Sequence, residues 1–196
     1  MKTTLIALFV VIFALIQPIS TIAEADWVVD ILPGALLANF AADDFSVTYE
    51  GREEEVSMIS SVPSVSLGLA FERLDGYIDA KVGGGMILNS KFSTFMTFAN
   101  LSIYKEIHPS IMIGPHATLA SFTAPEWWGD ADVVFDGNTG YMIGFQMTAG
   151  DRIAYLLSVD YVSASFDVDP ASTATTSEDV LDITGIAVQF GVRAQF

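Results

Sequence analysis

The chain reads as all-β: an eight-stranded antiparallel up-and-down barrel that crosses a membrane. Three observations predict this. First, the segment Ile186 to Phe196 splits by alternate positions. Ile186, Val188, Phe190, Val192, Ala194 and Phe196 carry no polar side-chain atom, whereas Ala187, Gln189, Gly191, Arg193 and Gln195 are small or polar. A strand throws successive side chains to opposite faces, so this segment has one oily face and one wet face. Second, such segments recur along the chain. After the first residues no apolar run is long enough for a membrane helix, although 52% of the residues are hydrophobic and only 16% charged. Hydrophobicity spread thinly in alternation is what a transmembrane barrel requires. Third, the acids gather between the alternating segments, at Glu50 to Glu55, Glu126 to Asp136 and Asp167 to Asp182.

The chain opens on a targeting signal. Lys2 supplies a positive start, Leu5 to Ile16 is apolar without a charge, and Ala23-Glu24-Ala25 fits the small-x-small cleavage rule. Residues 1–25 are therefore expected to be a signal peptide, and residues 26–196 one barrel domain. Loss of the signal removes Lys2 and Glu24 together, so the net charge of −16 carries over. So acidic a chain is no partner for nucleic acid, whose phosphates select basic surfaces. Cysteine is absent, so an exported domain of this size must hold by packing or by a closed hydrogen-bond ladder.

Asp26 to Pro33 fits either a strand or a short helical turn, and Pro33-Gly34 breaks both. The first strand is expected at 35–50, followed by a charged hairpin tip at Gly51 to Glu55. The second is expected at 56–71, with Val65, Leu67, Leu69 and Phe71 on one face and a bulge to hold Pro63. Asp75-Gly76 is a hairpin signal that starts strand three, 77–88. Strand four follows at 92–104 and strand five at 110–121. Strand six, 139–149, sets Tyr141, Ile143, Phe145 and Met147 against Met142, Gly144, Gln146 and Thr148. Strand seven, 152–168, sets Ile153, Tyr155, Leu157, Val159 and Tyr161 against Arg152, Ala154, Ser158 and Asp160. Asp169 to Asp179 is a mobile loop by composition, and strand eight is 180–196. Short turns at one rim and longer loops at the other are the membrane-barrel pattern.

The inward set shares one interior: Asp79, Lys81, Gln146, Arg152, Asp160, Gln189 and Arg193, with Asn100, Ser102, His116 and Thr118. Eight strands leave an interior that side chains fill, so this set predicts a polar plug rather than a gated pore. Buried charges there must pair. Lys81 is expected to pair with Asp79 or Asp160, and Arg152 or Arg193 with Glu72 or Asp160. Trp127, Trp128, Tyr141, Tyr155 and Tyr161 fit an aromatic belt at the headgroups. Asp130, Asp132 and Asp136 could offer oxygen to a divalent cation, but the spacing lacks ligands of a calcium loop, and a solvated acidic loop is the expectation. No cofactor is implied.

The signal, the eight amphipathic strands, the alternating connection lengths and the terminal Gly191-Val192-Arg193-Ala194-Gln195-Phe196 resemble the small outer-membrane β-barrels, the superfamily of the outer membrane protein A transmembrane domain and outer membrane protein X. The resemblance implies a bacterial outer-membrane location in contact with lipid and lipopolysaccharide, and a monomer. It also implies that Phe190, Val192 and Phe196 form the signal read by the barrel-assembly machinery. The implied role is structural or surface interaction through acidic outer loops, with a narrow channel as the alternative. Some similar barrels modify lipid A with a His, a Ser and a carboxylate. His116 and Thr118 are the candidates here, but Thr matches poorly and both point to the lumen, so no enzyme is expected.

Overall fold

In the computed structural model, which describes residues 25–41, 44–73, 76–170, 172 and 174–196, the chain is all strand and turn. The expected signal peptide and Asp75 of the expected hairpin lie outside the described residues. Fifteen strand segments follow in order: β1 Ala25–Asn39, β2 Ser46–Tyr49, β3 Arg52–Glu55, β4 Ile59–Ser61, β5 Ser64–Arg73, β6 Gly76–Leu88, β7 Phe92–His108, β8 Ile111–Phe122, β9 Glu126–Trp127, β10 Thr139–Gly150, β11 Ile153–Ser163, β12 Ser165–Asp167, β13 Thr175–Thr176, β14 Val180–Asp182 and β15 Gly185–Gln195.

Eight staves form the wall. β4 and β5 lie end to end as one stave, and each neighbour pairs antiparallel with the next in chain order through β6, β7, β8, β10 and β11 to β15. β15 then pairs with β1, so the ring is closed. Closure removes the unpaired backbone edge that hydrocarbon cannot solvate. The two ends of the described chain, Ala25 and Phe196, lie on one rim, where Trp27 and Phe196 exchange backbone hydrogen bonds at 3.2 and 2.9 Å.

The first stave begins ten residues before the expected start. Pro33-Gly34 does not break it. The pairing of β1 with β15 shifts between Ile31 and Gly34, which is a bulge. Val28, Asp30 and Leu32 point inward before it; Ala35, Leu37 and Asn39 point inward after it. The bulge absorbs one residue and tolerates a proline that has no N–H to donate. Pro63 likewise lies in the break between β4 and β5. The other half of the expected first strand is an outer hairpin, β2–β3, turned through Glu50 and Gly51 with φ of 49° and 76°. Such a two-residue turn needs positive φ at both positions, which glycine takes freely.

The apolar set faces outward, as at Ile31, Val82, Phe145, Val159 and Phe190. The interior has two storeys. Toward the rim of the chain ends it is polar and charged. Toward the long-loop rim it is apolar: Leu37, Val62, Ile87, Phe92, Met96, Phe122, Met142 and Ile183 from the wall meet Phe45, Val47, Val133, Phe135, Phe166 and Leu181 from the outer connections. The loops are therefore folded over the barrel as a cap. β13 adds to the β2–β3 hairpin, and β12 pairs with β14. The stretch expected to be mobile is thus tied at its described residues, with Thr175 and Thr176 in the cap sheet and Asp179 O accepting from Val168 N at 2.9 Å.

Phe45 is fully buried in this cap, against Phe135 and Trp127. Removing so large a buried ring costs about 3–5 kcal/mol. Phe45→Ala is expected to speed proteolysis in the outer connections of the detergent-folded protein. Heat-modifiable gel migration, which reports the closed wall, is expected to persist.

Candidate functional site

The lower storey is a continuous network of charged and polar side chains. Asp30 and Asp79 sit on neighbouring parts of the wall, from β1 and β6. Arg193 from β15 donates from Nε to Asp30 Oδ1 at 2.8 Å and from Nη2 to Asp30 Oδ2 at 3.0 Å. Nη2 also lies 2.7 Å from Asp79, an ion-pair contact whose angles do not make a hydrogen bond. Lys81 donates to Asp30 at 2.6 Å and lies 3.7 Å from Asp79. All four are buried. The Arg193 guanidinium also lies over the Tyr104 ring, 4.9 Å from its centroid. Two acids thus face two bases, the balance that a low-dielectric interior demands.

From there the network climbs. Tyr104 Oη receives a hydrogen bond from Arg193 Nη2 at 3.0 Å and donates to Gln146 Oε1 at 2.6 Å. Ser102 donates to Asn100 Oδ1 at 2.8 Å. Asn100 Nδ2 donates to Thr118 Oγ1 at 2.7 Å and lies 3.0 Å from His116 Nδ1. An amide N–H at Nδ1 makes that nitrogen the acceptor and puts the ring proton on Nε2. Nε2 contacts Asp160 Oδ1, and Ser158 Oγ lies 3.1 Å away.

Ser158, His116 and Asp160 are therefore not a catalytic relay. A relay needs the carboxylate at one ring nitrogen and the hydroxyl at the other. Here both meet Nε2, and Ser158 gives its own proton to Asp160 Oδ2 at 2.6 Å. Thr118 serves Asn100, not His116. A pocket of about 30 Å³ lies beside these groups in the lumen, the scale of a water molecule. At the rim of the chain ends a mouth cavity of about 300 Å³ is lined by Asp26, Tyr77, Glu106, Arg152 and Gln195, among others.

The structure brings together Asp79, Lys81, Gln146 and Arg193, and joins Asp160 to them through His116. Gln189 is buried in the same lumen. Arg152 is a correction: it lies exposed in the β10–β11 turn, because that stave starts one residue later than expected. The expected pair of Lys81 with Asp79 is present, but Lys81 lies nearer to Asp30, and Arg193 pairs with Asp30 and Asp79 rather than with Asp160 or Glu72. Asp30 was hidden in the ambiguous Asp26 to Pro33 stretch. Its signal was a lone charge in an apolar run, which marks the inward face of a lipid-facing strand. Tyr104 is a lumen residue, with 3% of its surface exposed.

The aromatic belt is also redrawn. Tyr141 and Tyr161 lie together on the outer wall, with ring centroids 6.4 Å apart, and Tyr155 is exposed near the opposite rim. Trp27, unassigned from sequence, is exposed on that lower rim as well. Trp128 is exposed beside the β6–β7 turn, its backbone N–H donating to Lys91 O at 2.7 Å. Trp127 is turned into the cap against Phe45 and Phe135. Asp130, Asp132 and Asp136 alternate with buried Ala131, Val133 and Phe135, so they point to solvent. Among the described residues they form no metal-holding group. Phe190, Val192 and Phe196 are exposed on the outer wall or its rim.

The decisive observation is the closed ring with an apolar exterior and an interior that is charged toward one rim and apolar toward the other. The fold is that of the small outer-membrane β-barrels. Neisserial surface protein A, solved by crystallography, is similar in fold at a TM-score of 0.53 and 12% identity, over 88% of this chain and 99% of that one. The outer membrane protein OprG from Pseudomonas aeruginosa gives 0.49 and 10%, over 89% and 97%. The outer membrane protein AlkL, solved in lipid bilayers, gives 0.41 and 11%, over 92% and 94%. No family model matches the sequence, and no curated protein does.

Outside the wall, Glu54 on β3 ties the cap together. It accepts from Trp127 Nε1 at 3.3 Å and from the Asp130 N–H at 3.4 Å, and it pairs with Lys91 at 3.2 Å. Burial works to raise its pKa. The Asp130 N–H, Lys91 and Trp127 outweigh that and hold the carboxyl below its ordinary value of 4.5. A lowered folded pKa means the contact stabilises the cap above the unfolded pKa and is lost as pH falls through the folded one. In a Trp27→Phe/Trp128→Phe background, Trp127 fluorescence is expected to shift on acidification below about pH 4.5. Glu54→Gln is expected to abolish that transition.

A second outcome concerns the lower storey. Asp30→Ala leaves Arg193 and Lys81 with one carboxylate between them. Stripping one partner from a buried pair costs about 3–5 kcal/mol. Urea unfolding in lipid vesicles is expected to show a loss of that size, and a smaller one for Asp30→Asn/Arg193→Gln.

Proposed function

We propose that the protein is an integral outer-membrane barrel, exported through cleavage of residues 1–25, with a structural or surface-interaction role carried by its folded, acidic cap. Its surroundings would be outer-membrane lipid and lipopolysaccharide, and it would act as a monomer. Phe190, Val192 and Phe196 would serve the barrel-assembly machinery during biogenesis. Nothing in so acidic a chain suits nucleic acid.

One observation carries this. The interior is filled twice in series, by the ion network below and by the apolar cap core above. A channel needs a continuous wet path, and an apolar seal of Phe45, Phe135, Phe166 and Leu181 is the opposite of one. The cap is also where the charge collects. Glu50, Glu53, Glu55, Asp132, Asp136, Asp167, Glu178 and Asp179 are all exposed there. A field of one sign repels anionic surfaces and favours cationic partners, with a reach set by salt. A lipid A-modifying role finds less support, because both nitrogens of His116 are engaged inside the lumen, away from the acyl chains.

Reconstitution into planar bilayers tests the proposal. The expected result is no unitary conductance from the purified protein at neutral pH. Stable conductance steps that vanish when the cap is cross-linked to the wall would overturn it in favour of the channel.

A further inference from the structure

The ring closes between β1 and β15, the two staves farthest apart in sequence. Every other joint of the wall links staves that follow one another, and at four of them, β5–β6, β6–β7, β7–β8 and β10–β11, a short turn fixes the register. This joint has no loop. Its partners are 163 residues apart where Asp30 meets Arg193. Something else must choose its register.

Two features of the joint do. Inside, Asp30 and Arg193 are direct Cα partners, and both nitrogens of one guanidinium edge bind the two oxygens of one carboxylate. Outside, Gly34 pairs with Phe190, whose ring lies where a Cβ at position 34 would be. A slip by one residue turns Arg193 to the lipid and is excluded by burial. A slip by two keeps the faces and is the real competitor. It puts Arg193 opposite Val28 or Leu32, and Asp30 opposite Gln195 or Gly191. Either way the two-point ion pair breaks inside the barrel. The rest of the receptor belongs to one end of the chain: Lys81 and Asp79 both come from β6, two staves from β1.

We propose that Asp30, with Lys81 and Asp79, forms a guanidinium receptor that selects the register of barrel closure by accepting Arg193 in one alignment only. The pair then acts as a specificity device more than as a source of stability. Buried ion pairs are best attested in that role, since well-fitted neutral replacements often match them in energy.

The chain has no cysteine, so engineered thiols are the only ones present. Three pairs report the register by disulfide formation on total membrane protein. Ile31→Cys with Val192→Cys reads the native alignment. Ile31→Cys with Ala194→Cys, and Val29→Cys with Val192→Cys, read the two slips. Each is placed in the parent and in Asp30→Asn/Arg193→Gln, which removes both charges and leaves no stranded ion. In the parent, only the native disulfide is expected. In the neutral variant, a slipped disulfide is expected to rise about tenfold or more while heat-modifiable barrels still form. If the neutral variant forms only the native disulfide, the charge pair does not select the register. If it forms no closed barrel and no disulfide, the pair is a stability element instead. Either result overturns the proposal.

Discussion

A backbone in hydrocarbon has no water to bond, so every N–H and C=O in the lipid layer needs a partner within the protein. For strands this means a closed ring. Seven joints of this ring are between staves that follow one another in sequence. The eighth must bring together Ala25 and Phe196, the two ends of the described chain. Much of the chemistry in the wall is concentrated at that joint. It holds the bulge at Pro33, the glycine beneath Phe190, the mutual bonds of Trp27 and Phe196, and Arg193 of the lumen network. A loop-closure entropy over so long a chain grows only slowly with length. The difficulty of the joint is thus one of choosing an alignment, more than of reaching it.

The two storeys of the interior follow from what each end must face. Near the chain ends the connections are too short to cover anything, so the lumen there is filled from the wall itself. Long polar side chains do this, and their charges must then cancel locally. Asp30 and Asp79 against Lys81 and Arg193 achieve that within one cluster. At the other end, long connections are available and can fold inward. There the wall presents Phe92, Met96, Phe122 and Met142, and the loops supply Phe45, Phe135 and Phe166. An apolar core then forms above the charged one, of the kind a soluble domain would have.

This division explains what the sequence revealed and what it hid. Staves whose lumen side is small or polar alternate cleanly, as in β15, and their faces are readable from the sequence. The upper part of β7 is apolar on both faces, because Phe95 meets lipid while Phe92 and Met96 meet the cap. Alternation carries no information there. The first stave was obscured differently. Its phase reverses at the bulge, so a fixed period of two fits neither half when the segment is read as one. Trp127 was misassigned for a related reason: an aromatic in an acidic loop looks interfacial until a buried surface exists for it to cover. That surface is made of residues from distant loops, and no local pattern encodes it. Arg152 shows the limit at a turn, where a one-residue change of boundary moves a side chain from lumen to solvent.

The acidity of the chain can now be tied to the same architecture. A carboxylate on the outer wall would face acyl chains, and one in the lumen would need a cation of its own. Few bases are available, eight Lys and Arg against 24 acids. Two of those bases serve the buried cluster, and Lys91 serves Glu54 in the cap. Most of the remaining acids have no base left to pair with, so they must lie where water can solvate them. The folded cap offers that surface. Its alternating loop, with Ala131, Val133 and Phe135 turned in and Asp130, Asp132 and Asp136 turned out, places charge on the outside by the same act that builds the core. The acidic exterior and the apolar core beneath it are therefore one feature of the sequence. A substitution that turned those alternating residues over would lose both together.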